Sequence, residues 1–513
     1  MDCVRSDQFF GLIKRGLMPN FKNLMENGIY SKNCITDFPS VTYPTQVSMI
    51  TGTYTGDFRK EFCHGVPLSH WMDRRNIPPI TRSYSSDSFQ IYQINDDLGP
   101  NCKTILEMID EGNKASILQY INRGTDYFFP ENKLKLIIYY LLSKYSRNLN
   151  RKIARINTVS IFKLLDTFKN PKKYFFTREP PICSLLYLFT PDVLMHSFGN
   201  KSQIYKANLL HLDKLFGILI DKLTKLGYME DTVIAIASDH GNYKAKRYGD
   251  LTPFFSQNAF IDYHSKRKKN SNINIEEFGS AGFMYFKGQG NNNQKNGWNY
   301  PKLKDLKRYG PKRTNLFKEL FKIEGVSLMY FREDENSHKK GVIHLKAKDC
   351  KTNKIHSGWI EYIGNGSNQK TKYIMDDDNR DIFGYMEDNK TTKLIDDKFH
   401  TIDEWLASSF HLDYPLYPDL LPRHFKNPRS SDIIVSTKGE VIFNYEKGSQ
   451  KHNNLNSHDI GLRSCSVVPL IISGSNEIPH KELDYCKITD IVPTLLRLIG
   501  KKPHKSVIGN CLV

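Results

Sequence analysis

Two apolar runs in this chain each lead into an aspartate and a histidine, and that recurrence constrains the fold more than any other feature. Val233-Ile234-Ala235-Ile236-Ala237-Ser238 runs straight into Asp239-His240, and Leu185-Leu186-Tyr187-Leu188-Phe189 is followed by Asp192 and His196. Short apolar runs of this kind read as strands buried in a sheet. In open α/β sheets the functional site lies outside the carboxyl ends of the strands. A single Asp-His-Gly after a strand is ordinarily a turn. Two acid–imidazole pairs at equivalent places are what a two-metal hydrolytic site needs, and carboxylate with imidazole is a ligand mix that suits zinc.

Three further residues are candidates for the same site: Asp2, Thr42 and His458. Thr42 stands in Pro39-Ser40-Val41-Thr42-Tyr43-Pro44, ahead of Gly52. Pro44 suits the first turn of a helix and Gly52 its stop, which predicts Thr42 at or just before a helix N-terminus. Free N–H groups and the positive end of the helix dipole favour an anion there. A hydroxyl in that place that also meets a metal ion can act as a nucleophile. The plainer reading of Thr42 is an N-cap.

These segments, with Leu17-Met18-Pro19-Asn20-Phe21, His64-Gly65-Val66, Pro191-Asp192, Leu212-Asp213, Val468-Pro469-Leu470 and Asp490-Ile491-Val492-Pro493-Thr494, resemble the type I phosphodiesterase / nucleotide pyrophosphatase family of the alkaline phosphatase superfamily. The resemblance covers roughly the first half and the last hundred residues. It implies an α/β fold with a mixed, mostly parallel sheet between helices. It also implies two divalent metal ions, usually zinc: one held by Asp192, His196 and His458, the other by Asp2, Asp239 and His240. Thr42 would attack a small anionic phosphate ester and form a phosphothreonine intermediate. Phosphodiesters and pyrophosphates are the first substrate class. A phosphomonoesterase or phosphotransferase of the same superfamily is the alternative, and a metal-free pseudoenzyme that only binds is the rival from another class. The sulfatase branch is disfavoured, because Thr42-Tyr43-Pro44-Thr45 lacks its Cys/Ser-x-Pro-x-Arg motif.

Three departures from the family stand out. No apolar strand precedes Asp2, so this ligand is expected to be poorly fixed. Thr45 replaces an Asn found in many relatives, and Asp459 rather than glycine follows His458.

The division expected is a core over 1–242 and 426–513 with an inserted cap over 243–425, where substrate choice would reside. Tyr205, Leu209, Leu212, Phe216, Leu219, Leu223 and Leu226 recur at steps of four and three, predicting a helix laid on the sheet. The basic stretch 131–176 carries Leu134, Ile137, Ile138, Leu141 and Leu142 on one side. It reads as a packed helix or as a contact for a membrane surface. The net charge of +18 admits nucleic acid, anionic lipid or an anionic small substrate, but no specific nucleic-acid motif accompanies it. No apolar stretch approaches the roughly 20 residues of a membrane span. Nine cysteines without a paired motif point to a reducing compartment and a cytoplasmic location.

Overall fold

A computed structural model describes residues 1–84, 90–131, 149–264, 270–288, 297–376, 381–443, 455–459, 461–475 and 477–513. The apolar runs form strands, as their composition demands. Ile234–Ala237 pairs antiparallel with Val467–Ser473, which pairs antiparallel with Gly28–Ile35. Lys481–Leu483 and Cys486–Lys487 add to Gly28–Ile35 in parallel. Asn113–Ile117 pairs in parallel with both Tyr127–Phe129 and Pro181–Leu186. Parallel ladders therefore outnumber antiparallel ones in this part of the molecule by four to two.

The helix Gln203–Lys225 buries Tyr205, Leu209, Leu212, Phe216, Leu219 and Leu223, the face its spacing predicts. Ser202 caps it by accepting from the Tyr205 N–H, and Gly227 at φ +79° follows its end. Leu149–Lys169 packs beside it, with Ile153, Ile161, Leu164 and Leu165 buried in the same cluster. Those four residues face protein, while Val159 and Phe162 of the same helix are exposed. Leu134, Ile137, Ile138, Leu141 and Leu142 lie outside the described residues. Among the described residues no helix is long and apolar enough to cross a membrane.

The region after His240 is built on an antiparallel sheet of eight strands. Their order is Ile273–Phe278, Ala281–Phe286, Ile433–Ser436, Leu328–Arg332, Lys340–Lys348, Ile355–Ile363, Lys370–Met375 and His400–Thr401. Ile433–Ser436 follows residue 425 yet sits inside this sheet, because all four of its residues are buried and need cover on both faces. This eight-stranded sheet and the sheet of Gly28–Ile35 share one apolar core: Phe283, Tyr330, Ile343, Ile29 and Val468 belong to a single cluster. Asp432 adds a buried polar tie, receiving both Arg74 terminal nitrogens at 2.6 and 2.9 Å.

Candidate active site

The helix Thr42–Thr51 begins one residue after the N-cap Val41 and stops at Gly52, whose φ is +69°. Thr42 is therefore the first helical residue and not the cap, and no side chain caps this end. Its hydroxyl is directed elsewhere: Oγ1 lies 3.2 Å from His240 Nε2.

Asp239 and His240 leave the carboxyl end of Ile234–Ala237. Gly241 follows because the backbone of the distant segment Ser464–Cys465 comes very close. A Cβ at 241 would meet the Ser464 carbonyl oxygen at 2.2 Å, and the Gly241 N–H donates to Cys465 O at 2.6 Å. His240 Nδ1 lies 3.0 Å from the Gly241 carbonyl. A carbonyl only accepts, so Nδ1 carries the proton and Nε2 keeps its lone pair for Thr42 or a cation.

Asp2 is not loosely held, contrary to expectation. The Met1 amino group donates to Ala237 O at 2.8 Å, and Asp2 N–H donates to Leu188 O at 3.0 Å. Cys3 N–H reaches Asp239 Oδ1 at 3.1 Å and Val4 N–H reaches Ser238 Oγ at 2.9 Å. The first four residues are thus tied to the ends of two different sheets, which fixes Asp2 from its own backbone. Its Oδ2 accepts from the Tyr187 hydroxyl, and its Oδ1, 3.3 Å from His240 Nε2, has no hydrogen-bond partner among the described residues.

The second cluster stands beside the first. Asp192 and His196 are four residues apart in Thr190–Phe198 and so share a face, with His196 Nε2 at 3.3 Å from Asp192 Oδ1. His458 Nε2 is 3.7 Å from the same oxygen, while its Nδ1 lies 3.3 Å from the Ser40 carbonyl, just before Thr42. The His458 and His240 rings stack with centroids 3.7 Å apart, which joins the two clusters.

All six residues that sequence named as ligands are therefore brought together with Thr42. They fall into the two triads Asp192, His196, His458 and Asp2, Asp239, His240, each with ligand atoms within 4.8 Å of one another. Their electrostatics suits cations. Burial, then the Asp239 and Asp192 carboxylates, pushes the Asp2 carboxyl well above its ordinary range. Burial also works against ionisation of Asp192, yet the neighbouring His196 holds it below the usual carboxylate range. Burial holds His458 well down, so its ring stays neutral. Asp2 Oδ1 and Asp192 Oδ1 are buried acceptor atoms with no hydrogen-bond partner among the described residues. Two such carboxylate oxygens, beside the His240 Nε2 lone pair, make a donor set that divalent ions would satisfy.

Several contributors escaped the sequence reading. Tyr187 sits in the first apolar run but turns its hydroxyl to Asp2. Gln46, one helical turn beyond Thr42, donates to Asp239 Oδ2 at 2.7 Å. Spacing four after Thr42 was the one available signal for it. Tyr43 is half-buried, and burial with Asp2, Asp192 and Asp239 pushes its phenol up, so it stays neutral. Thr45 is fully buried in its helix, and its Oγ1 has no hydrogen-bond partner among the described residues. Asp459 adopts φ +137°, a conformation that favours glycine, and its Oδ2 accepts from the Ser280 N–H at 3.3 Å.

A family model described as type I phosphodiesterase / nucleotide pyrophosphatase matches residues 1–328. The chain is similar to the bis(5'-adenosyl)-triphosphatase ENPP4 of Pongo abelii, 24% identical over 230 residues that cover 44% of this chain and 43% of that protein. It is also similar to ectonucleotide pyrophosphatase/phosphodiesterase family member 1 of Mus musculus, 28% identical over 229 residues, covering 44% of this chain and 22% of that protein. The match thus spans less than half the length of these curated relatives. In fold it is similar to a solved structure of inactive murine ectonucleotide pyrophosphatase / phosphodiesterase 5 in complex with AMP. That likeness has a TM-score of 0.56 at 13% identity and covers 98% of this chain and 94% of the other.

Proposed function

Since this chain belongs to the type I phosphodiesterase / nucleotide pyrophosphatase family, we propose that it is a metal-dependent hydrolase of phosphoric esters with Thr42 as nucleophile. The observation that carries this reading is the 3.2 Å approach of Thr42 Oγ1 to His240 Nε2 at a helix N-terminus, beside two triads of ligand-type residues. Asp2, Asp239 and His240 would hold one divalent ion and Asp192, His196 and His458 the other. When bound, such ions lower the pKa of a nearby hydroxyl and offset charge on phosphoryl oxygens.

The chain's own groups do the rest. Thr42 Oγ1 gives up its proton to solvent and forms the new bond to phosphorus as the bond to the leaving oxygen breaks in line. The leaving oxygen departs with that electron pair and takes a proton from solvent. The amide end of Thr42–Thr51 offers positive potential to the phosphoryl group. His240, its Nδ1 proton held by Gly241 O, is kept in one tautomer. Water then cleaves the phosphothreonine, restoring the hydroxyl and releasing a phosphomonoester. A phosphodiester or pyrophosphate is favoured as substrate by the family and by the AMP seated in a structural neighbour.

The test compares an aryl phosphodiester, an aryl phosphomonoester and a nucleoside triphosphate on the full chain supplied with zinc or manganese. Thr42→Ala is expected to abolish turnover with metal content nearly intact, and Thr42→Ser to retain measurable turnover. Turnover by Thr42→Ala near the wild-type rate, or labelled phosphate mapping to Ser40 or Ser48, sinks the assignment.

A further inference from the structure

Gln46 and Gln119 are both buried, and they form a chain of hydrogen bonds that ends on Asp239. The Ile121 N–H donates to Gln119 Oε1 at 3.0 Å, Gln119 Nε2 donates to Gln46 Oε1 at 3.0 Å, and Gln46 Nε2 donates to Asp239 Oδ2 at 2.7 Å. The direction of this chain is forced. A backbone N–H can only donate, so it takes the oxygen of Gln119 and turns that amide's NH2 toward Gln46. Gln46 must answer with its oxygen, which leaves its own NH2 facing Asp239. Ser116 Oγ donates to Gln119 O at 2.6 Å and anchors the far end to the strand Asn113–Ile117.

Gln46 lies four residues after Thr42 and so on the same helical face. The two side chains dock the helix on consecutive residues, Thr42 against His240 and Gln46 against Asp239. Asp239 Oδ1 already accepts the Cys3 and His240 N–H groups at 3.1 and 2.9 Å. With Gln46 on Oδ2, three donors fix the plane of this carboxylate and decide which lone pairs remain.

We propose that Gln46, oriented by Gln119, is a positioning residue: it aims Asp239 at an ion and holds the Thr42 hydroxyl in register with that ion. The proposal rests on the metal-dependent reading of the site. Partners of this kind around a metal ligand change affinity or activity by roughly 10- to 100-fold when removed.

The experiment uses the full chain, stripped with a chelator and titrated with zinc by calorimetry, together with Gln46→Met and Gln119→Glu. Gln46→Met keeps the volume and loses the donor. It should weaken one of two binding events by roughly 10- to 100-fold, leave the other unchanged, and lower kcat more than it raises KM. Gln119→Glu is isosteric and still accepts from Ile121, but it presents a second oxygen to Gln46. The Gln46 amide must then turn over, putting its oxygen against Asp239. The relay therefore predicts weaker zinc binding, whereas an added carboxylate acting only through its charge predicts tighter binding. Unchanged or tighter binding in Gln119→Glu overturns the proposal, and so does unchanged binding in Gln46→Met. Gln119 touches neither Thr42 nor a ligand, so its variant carries the test if Gln46→Met fails to fold. Should the wild-type chain bind no ion, the metal reading fails by itself. The relay is then judged on the metal-free protein by a Gln46→Met, Gln119→Leu thermal cycle. Tm losses smaller together than their sum support it, and additive losses refute it.

Discussion

Acidification should loosen the seam between the inserted region and the loop that leads to Thr42, through His424. This ring is fully buried among Phe38, Phe283 and Phe425, and neither ring nitrogen has a hydrogen-bond partner among the described residues. Burial, with Arg332 adding to it, lowers the His424 pKa to about 3 from an ordinary value of 6.5. The unfolded chain therefore binds a proton near pH 6.5, and the native chain does so only near pH 3. Above pH 6.5 the ring is neutral in both states and has no linkage effect. As pH falls below 6.5 the unfolded state gains, by about 1.4 kcal/mol per pH unit, so the loss is about 2 kcal/mol at pH 5 and grows until the folded pKa is reached. His424→Phe removes this titration in an apolar setting. The measurement is the unfolding free energy in urea near pH 7.5 and near pH 5 for wild type and variant. Wild type should lose about 2 kcal/mol more between the two pH values than the variant, whatever the variant's starting stability. Equal losses in the two proteins would show that His424 is not held neutral by burial.

Gly241→Ala forces a Cβ against the Ser464 carbonyl. It should destabilise the fold by about 1–3 kcal/mol, read as a lower Tm, and reduce zinc uptake by displacing His240. Asp432→Ala strands the buried Arg74 guanidinium, and a loss of about 3–5 kcal/mol is expected from urea unfolding; a Tm near wild type would show that water replaces the carboxylate. Chelation followed by elemental analysis should remove about two ions per chain and lower the Tm, since ions bind only the folded form. Reconstitution with zinc should restore both, and an unchanged Tm on stripping would contradict the ligand assignment.

Much of the site was legible because strands and helix ends announce themselves locally. The run Val233–Ala237 reads as a strand and Ile234–Ala237 forms one, and the residues just after a strand lie at the sheet's carboxyl edge. Pro44 and Gly52 likewise bracket a helix wherever it is placed. The strands Ile355–Ile363 and Lys370–Met375 were not legible. Their inward positions include His356, Gly358 and Thr371, so the alternation that marks a half-buried strand is blurred at the residues that face the core. Ile433–Ser436 is plainly apolar in sequence, but only long-range pairing assigns it to the inserted region's sheet.

The sequence by itself determined the strand and helix ends around the site and the resemblance to the family, and that resemblance in turn implied the six ligand-type residues, because the motifs that carry it are residue types at short spacing. Tertiary structure alone decided that Val41 and not Thr42 occupies the N-cap position, which leaves the hydroxyl free to meet His240. It also decided that Asp2 is held through backbone bonds to Ala237 and Leu188, and that a glutamine from each of two distant segments aims Asp239. Those contacts join residues from 73 to 236 positions apart. Their energy depends on which groups burial leaves unpaired, and no local pattern in the chain carries that information.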